Sequence, residues 1–260
     1  MAKPRVYKTE AIVLKRANLG EADIIITLYT PNLGKIRAVA KGARRPKSKL
    51  GGHLDLLSQS SLLLAQGQNL DIVTQSQMIE SFLALRTDLW RTSCAMYVAE
   101  LVDQFTPEQV ENYPFYKLLQ TTLQWLCESR NIELVLRYFE LQLLKHLGYQ
   151  PELNQCVVCR APLAQQGNLF SASAGGTLCS NCVRGESQVR PISTDAIKVL
   201  RFLLSSEPAS VSRLRIGSDL SLELEQSMRV YIRYVLEQEV KSVGFLDRLR
   251  MEAKFKKLDI

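Results

Sequence analysis

At 260 residues the chain has room for one large domain or two to three small ones, and its 46% hydrophobic content is ordinary for a globular protein. The longest aliphatic runs, LLSQSSLLLA and IELVLRYF, are broken by polar residues well short of bilayer thickness, and the opening MAKPRVYKTEAIVL lacks the apolar core of a signal peptide, so a soluble cytoplasmic protein is expected. The net charge of +7 is unevenly spread: residues 1–53 hold twelve Lys and Arg against three acids (Glu10, Glu21, Asp23), a balance of +9, whereas the rest hold 21 against 23, a balance of −2. Such asymmetry points to a polyanionic partner, nucleic acid or a membrane surface, with a merely solvated cationic loop as the plainer reading.

The first 82 residues read as β structure. YKTEAIVLKRA and ADIIITLYT are rich in β-branched and aromatic residues, and the turn signals NLGEA and TPNLGK follow them. KIRAVAKGA alternates Ile36, Ala38 and Ala40 with Lys35, Arg37 and Lys41, which predicts one apolar and one cationic face. Two further strands flank AQGQN, and five short strands in about 80 residues suit a five-stranded barrel of the OB type. Between the third and fourth strands lies KGARRPKSKLGG, five cations (Lys41, Arg44, Arg45, Lys47, Lys49) with no acid among them.

Beyond Phe82 the apolar spacing becomes helical. LRTDLWRTSCAMYVAELVDQF has Thr87 or Asp88 as cap, NYPFYKLLQTTLQWLCES enters through Pro114, and NIELVLRYFELQLLKHLGY runs from Asn131 to a stop at Gly148. STDAIKVLRFLLSS, capped by Ser193 or Thr194, and DLSLELEQSMRVYIRYVLEQEV complete an all-α part whose apolar stripes read as core. Glu223 and Glu225 read as a solvated helix face. The expected division is a barrel over 1–82, helices over 83–150, a cysteine segment over 151–190 and helices over 191–260.

Four of the six cysteines form two pairs, Cys156/Cys159 and Cys179/Cys182, in the spacing C-x2-C-x19-C-x2-C. Two such knuckles facing each other supply the four thiolates of a tetrahedral zinc site, with LFSASAGGTLC as the hairpin of a zinc-ribbon-like segment. Four sulfur ligands leave no position for a substrate water, so one structural zinc ion is expected. Cys94 and Cys127 fall on apolar helix stripes and read as buried small side chains.

The chain contains no Walker-type phosphate loop, no G-x-G-x-x-G, no H-E-x-x-H and no G-x-S-x-G, and its two histidines, His53 and His146, are too few for a His-based centre. Nothing argues for an enzyme. A cationic barrel face and a glycine-bearing basic loop suit a phosphate backbone, with Lys35, Arg37, Lys41, Arg44, Arg45, Lys47 and Lys49 as the contacts. Tyr7, Tyr29 and Phe82 are candidates to stack on bases or to serve as core. A second cluster, Arg248, Arg250, Lys254, Lys256 and Lys257, either extends that surface or solvates a last helix.

Three features resemble the RecO family of bacterial recombination mediators: GEAD before an aliphatic strand, TPNLGKIRAVAKGARRPKSK, and the two C-x2-C pairs after LLKHLGYQPELNQC. They occur in the family's order across nearly the whole chain, from about Ser205 onward less distinctively. The resemblance implies an OB-fold, a helical domain and a zinc segment. It also implies binding to single- and double-stranded DNA, annealing without ATP, and loading of the recombinase RecA onto strands coated with single-strand-binding protein. RecR and, in some bacteria, RecF would be partners, in a nucleoid-associated cytoplasmic setting. The competing reading of the residues is a zinc-ribbon DNA-binding adaptor or transcription-type protein; a metal-dependent nuclease or deaminase would need acid and histidine clusters the chain lacks.

Overall fold

The computed structural model describes residues 5–183 and 189–258, with side chains as far as Glu252. Five strands, β1 (Val6–Leu19), β2 (Asp23–Thr30), β3 (Gly34–Ala40), β4 (Gln59–Ala65) and β5 (Asp71–Glu80), close into a barrel in the order β1-β2-β3-β5-β4. All neighbours are antiparallel except β3 and β5, which is the pairing of an OB-type barrel. Ala11, Val13, Ile24, Ile26, Leu28, Ile36, Ala38, Leu62, Leu64 and Val73 fill its interior, as the alternation in β3 predicts for Ile36 and Ala38. β1 breaks that alternation. Val13 pairs with Leu28 and Lys15 with Thr27, so Leu14 is an extra residue, and every side chain after it changes face.

Four helices belong to the same compact unit: α1 (Leu83–Thr87), α2 (Leu89–Phe105), α3 (Tyr113–Glu128) and, from the far end of the chain, α8 (Lys241–Leu258). Asp88 is the cap of α2, accepting from the N–H groups of Trp90 at 2.9 Å and Arg91 at 3.1 Å. The first N–H groups of α8, on Lys241 and Ser242, donate to the Glu100 carboxylate of α2 at 2.8 Å each. A carboxylate from another helix thus caps α8 and suits the positive end of its dipole. The compact units divide after Glu128 and again before Val240.

The second unit, Ser129–Glu239, is built on α4 (Ile132–His146), capped by the Asn131 side chain at 3.1 Å and buried from Ile132 to Leu144 apart from Glu133. The short strands β6 (Leu169–Ser171), β7 (Gly176–Leu178) and β8 (Val189–Pro191) form a small sheet, and α5 (Thr194–Ser205), α6 (Pro208–Val211) and α7 (Ser218–Leu236) follow. The carboxylates expected on a solvated face do other work. Glu223 accepts from the Ser193 N–H at 2.5 Å and its hydroxyl at 2.8 Å, reinforcing the cap of α5. Glu225 is buried and pairs with Arg229 at 2.5 Å, with Arg137 of α4 at 3.9 Å. Arg137 also makes a two-pronged bond to the fully buried Glu140. Helical periodicity does not separate a charge on a wet face from one facing a complementary charge on a neighbouring helix.

Glu140→Gln should destabilise the second unit by about 3–5 kcal/mol, because it leaves the Arg137 guanidinium buried without its principal counter-charge. The expected readout is a lower urea midpoint, largely recovered when Arg137→Met is added.

Candidate metal centre and nucleic-acid interface

The cysteine cage is built by two turns and one strand. In the first turn Cys156 is buried, the Arg160 N–H donates to the Cys156 carbonyl at 2.9 Å, and Arg160 itself takes a left-handed φ of 59° to reverse the chain. The Val157 N–H donates to the Thr177 carbonyl at 2.9 Å, which ties this knuckle to β7. β7 leads directly into Cys179 and the one-turn helix Ser180–Cys182. Only glycine fits at position 176, where a Cβ would come within 2.2 Å of the Glu152 carbonyl oxygen.

The four sulfurs lie within 4.8 Å of one another, with Cys159 and Cys179 at 3.7 Å. A tetrahedral zinc with bonds of about 2.3 Å requires sulfur–sulfur edges of about 3.8 Å, so the donor set fits that ion. The thiols are already unequal. Burial opposes ionisation of Cys156, but bonds from the backbone N–H groups of Cys159, Cys179 and Val158 and from the Cys159 thiol outweigh it and draw Cys156 down to about 6. Hydrogen bonds with the Cys159 and Cys179 thiols push Cys182 up to about 12. Thiols this close share protons, and a divalent cation replaces those protons with one compact positive charge. Outside the cage Cys94 is buried in α2 and Cys127 is half-buried, with burial raising its thiol.

The basic loop is anchored to the barrel. Gly42, at φ 64°, donates its N–H to Asp23 Oδ1 at 2.7 Å. The Arg44 N–H donates to the Ala22 carbonyl at 2.9 Å, and its guanidinium to the Gly20 carbonyl at 3.2 Å. Ala43, inside the cationic stretch, and Leu54, just beyond it, are buried in the barrel core. Lys41, Arg44, Arg45, Lys47 and Lys49 remain exposed. The aspartate of GEAD and the glycine of KGARR are thus two halves of one contact.

On the outer face of the sheet, register sets which cations stand together. Lys15 of β1 lies opposite Thr27 of β2, and Thr27 opposite Arg37 of β3. Lys15 and Arg37, both exposed, therefore flank one row of the sheet. The next row is Ala17, Ile25 and Val39, small or aliphatic side chains on the way to the basic loop. On the other side is the row Ile12, Tyr29 and Lys35, which the helices cover. Tyr29 is buried against Phe115 of α3, ring centroids 5.4 Å apart. Lys35 is buried, and its ammonium bonds to the backbone carbonyl and, at 3.2 Å, the carboxylate of Asp103. Lys35 is thus withdrawn from the cationic face, because α2 supplies a counter-charge that strand alternation cannot reveal. Lys15, which sequence reading passes over, joins that face through the bulge at Leu14; no local signal marks it.

The aromatic candidates resolve as core. Tyr29 and Phe82 are buried, and the half-buried Tyr7 donates to Asp71. In the C-terminal cluster the Arg250 guanidinium lies 5.0 Å from the Trp90 ring centroid and that of Arg248 5.9 Å from Phe245. The side chains of Lys254, Lys256 and Lys257 lie outside the described residues.

Residues 1–82 match the family model described as Recombination protein O N terminal, and residues 86–243 the one described as Recombination protein O C terminal. The chain belongs to the RecO family. Among similar proteins named DNA repair protein RecO, that of Dehalococcoides mccartyi (strain CBDB1) is 42% identical over 251 residues, covering 96% of this chain and 99% of the relative. That of Roseiflexus sp. (strain RS-1) is 44% identical over 249 residues, covering 95% and 87%. That of Desulforamulus reducens is 36% identical over 245 residues, covering 94% and 95%. Family membership supports a role in DNA repair and recombination, and among the described residues of this RecO-family chain no helix is long and apolar enough to cross a membrane.

Elemental analysis of the purified chain should give one zinc per molecule, released by mercurial titration of the four cage thiols. Cys182→Ser should lose that metal and lower the melting temperature, whereas Cys94→Ser should retain it.

Proposed function

We propose that this chain is a DNA-binding recombination mediator that works by holding strands rather than by turnover chemistry. The observation that carries the reading is the outer barrel face, where Lys15 and Arg37 border an aliphatic row on one side and the anchored loop of Lys41, Arg44, Arg45, Lys47 and Lys49 follows on the other. OB-type barrels commonly bind oligonucleotides across β2 and β3. Cations spaced along such a face displace the condensed counterions of a phosphate backbone, and this gain does not depend on base sequence.

Annealing follows from the same physics. Two complementary strands repel through their phosphates, and cations on a fixed face lower that repulsion without bond chemistry, so no nucleotide hydrolysis is needed. Arg44 and Arg45 offer planar forks for phosphate oxygens. Binding of single- and double-stranded DNA, annealing without ATP, and loading of RecA onto strands coated with single-strand-binding protein are the family's activities carried to this chain. RecR and RecF as partners and a cytoplasmic, nucleoid-associated location rest on the same kinship. The zinc ion held by Cys156, Cys159, Cys179 and Cys182 is structural: four sulfurs complete its sphere, and it ties two short turns that bury little apolar surface of their own.

Arg44→Glu with Arg45→Glu should weaken binding to all DNA sequences alike and flatten its salt dependence, as read by fluorescence anisotropy. Lys15→Gln with Arg37→Gln should make the slope of log affinity against log salt for duplex DNA shallower by about 1.8, the loss of two phosphate contacts. Lys35→Met should leave affinity unchanged. Unchanged binding at low salt in both multiple variants would overturn the assignment. Annealing of complementary oligonucleotides coated with single-strand-binding protein, without ATP, tests the mediator activity itself.

A further inference from the structure

The aromatic side chains first expected to stack on bases offer no open face, since Tyr29 and Phe82 are buried and Tyr7 donates to Asp71. The second unit holds a cavity of about 490 Å³ between the turn that joins β6 to β7 and the last turns of α7. Its volume lies within the range of small-ligand sites. Two of its walls are tyrosines that remain about half exposed, Tyr149 at 52% and Tyr234 at 43%.

The protein builds this cavity rather than leaving it by default. Gly148, at φ 81°, ends α4, and the Tyr149 N–H donates back to the Leu144 carbonyl at 2.8 Å, which fixes where Tyr149 leaves the helix. Beneath it Tyr231 is buried, its ring 5.5 Å from Phe170 and its hydroxyl donating to the Tyr149 carbonyl at 3.1 Å. The opposite wall is the turn Ala172, Ser173, Ala174 and Gly175, whose small side chains leave the space open. Arg233 and Glu237 line the same cavity and supply a charged donor and a charged acceptor. Arg233 is exposed and its contact with Glu239 is a surface pair at 3.3 Å, which costs little to exchange.

We propose that this cavity receives an unpaired nucleobase of single-stranded DNA, stacked on Tyr149 or Tyr234, with Arg233 and Glu237 meeting its polar edge. Aromatic faces stack on any base, and a paired base inside a duplex cannot enter. The site therefore adds affinity for single strands and none for duplex, which distinguishes it from the phosphate-binding barrel face. The inference rests on the DNA-binding reading above and extends it.

The test compares the full-length zinc-loaded chain with Tyr149→Ala/Tyr234→Ala and Tyr149→Phe/Tyr234→Phe. Each is titrated with a thymidine-rich oligonucleotide carrying one 2-aminopurine and with a hairpin duplex of equal phosphate number. The alanine pair should lose about tenfold in single-strand affinity, keep its duplex affinity, and abolish the stacking-induced change in 2-aminopurine fluorescence. The phenylalanine pair should restore the single-strand affinity and the fluorescence change, since the rings and not the hydroxyls do the stacking. Equal losses for single strand and duplex, or none for either, in a wild-type chain that binds both would overturn this site while leaving the barrel assignment standing. A wild-type chain that binds neither at low salt would overturn the underlying reading and this one with it.

Discussion

Strand β1 is hydrogen-bonded to β2 along one edge and to β4 along the other, so its fourteen residues must keep register with two neighbours at once. A strand held on both edges cannot slide without moving its whole apolar set off the core. One extra residue, Leu14, is admitted between Val13 and Lys15, and the surface chemistry follows from that slip. It sends Lys15 outward to share a row with Thr27 and Arg37, and it sets Arg16 opposite the core residue Ile26, where its guanidinium reaches Asp55 at 2.9 Å. Two adjacent cations thus have different fates, one open to a ligand and one holding the connector that follows the basic loop.

The same sorting applies to the whole basic segment. Net charge counts Lys35 and Lys41 alike, but Asp103 neutralises the first, while the second begins a loop with no acid of its own. The loop does not need one in order to be ordered. Asp23 and the carbonyls of Gly20 and Ala22 take up its backbone and one guanidinium, so its remaining cations are positioned without being neutralised. An anchored backbone leaves chiefly the side chains to be ordered when such a loop binds a polyanion.

In the second unit polar contacts are set into a largely apolar core. Arg137, Glu140, Glu225 and Arg229 connect α4 to α7 through buried charge, and such pairs specify an arrangement more than they add stability. The cysteine cage does the same for two short turns. Its four sulfurs lie within 4.8 Å of one another, and the β7 strand that leads into Cys179 is bonded to the backbone of the first knuckle. The turn beyond β6 is free of bulky side chains, and the cavity beside Tyr149 and Tyr234 is the consequence.

The sequence by itself determined the barrel strands, the main helices with the Asn131 cap, the zinc-ligand spacing and the lopsided charge, while the choice of Asp88 over Thr87 and of Ser193 over Thr194 as caps came from the structure. The strands, helices and individual knuckles depend on residues within a few positions of one another, where pleat, helical turn and knuckle geometry impose short periods, and the charge is legible by count alone. Only the tertiary structure decided that α8 returns to the barrel's unit, that Lys35 is withdrawn and Lys15 presented, that Glu225 is buried, and that Tyr29 is core. Those outcomes depend on partners at large sequence separation: Asp103 for Lys35, Glu100 for α8, Phe115 for Tyr29, and a register set by a single bulged residue. Local pattern can say that a side chain is charged or aromatic; which surface it meets is fixed only when the chain closes on itself.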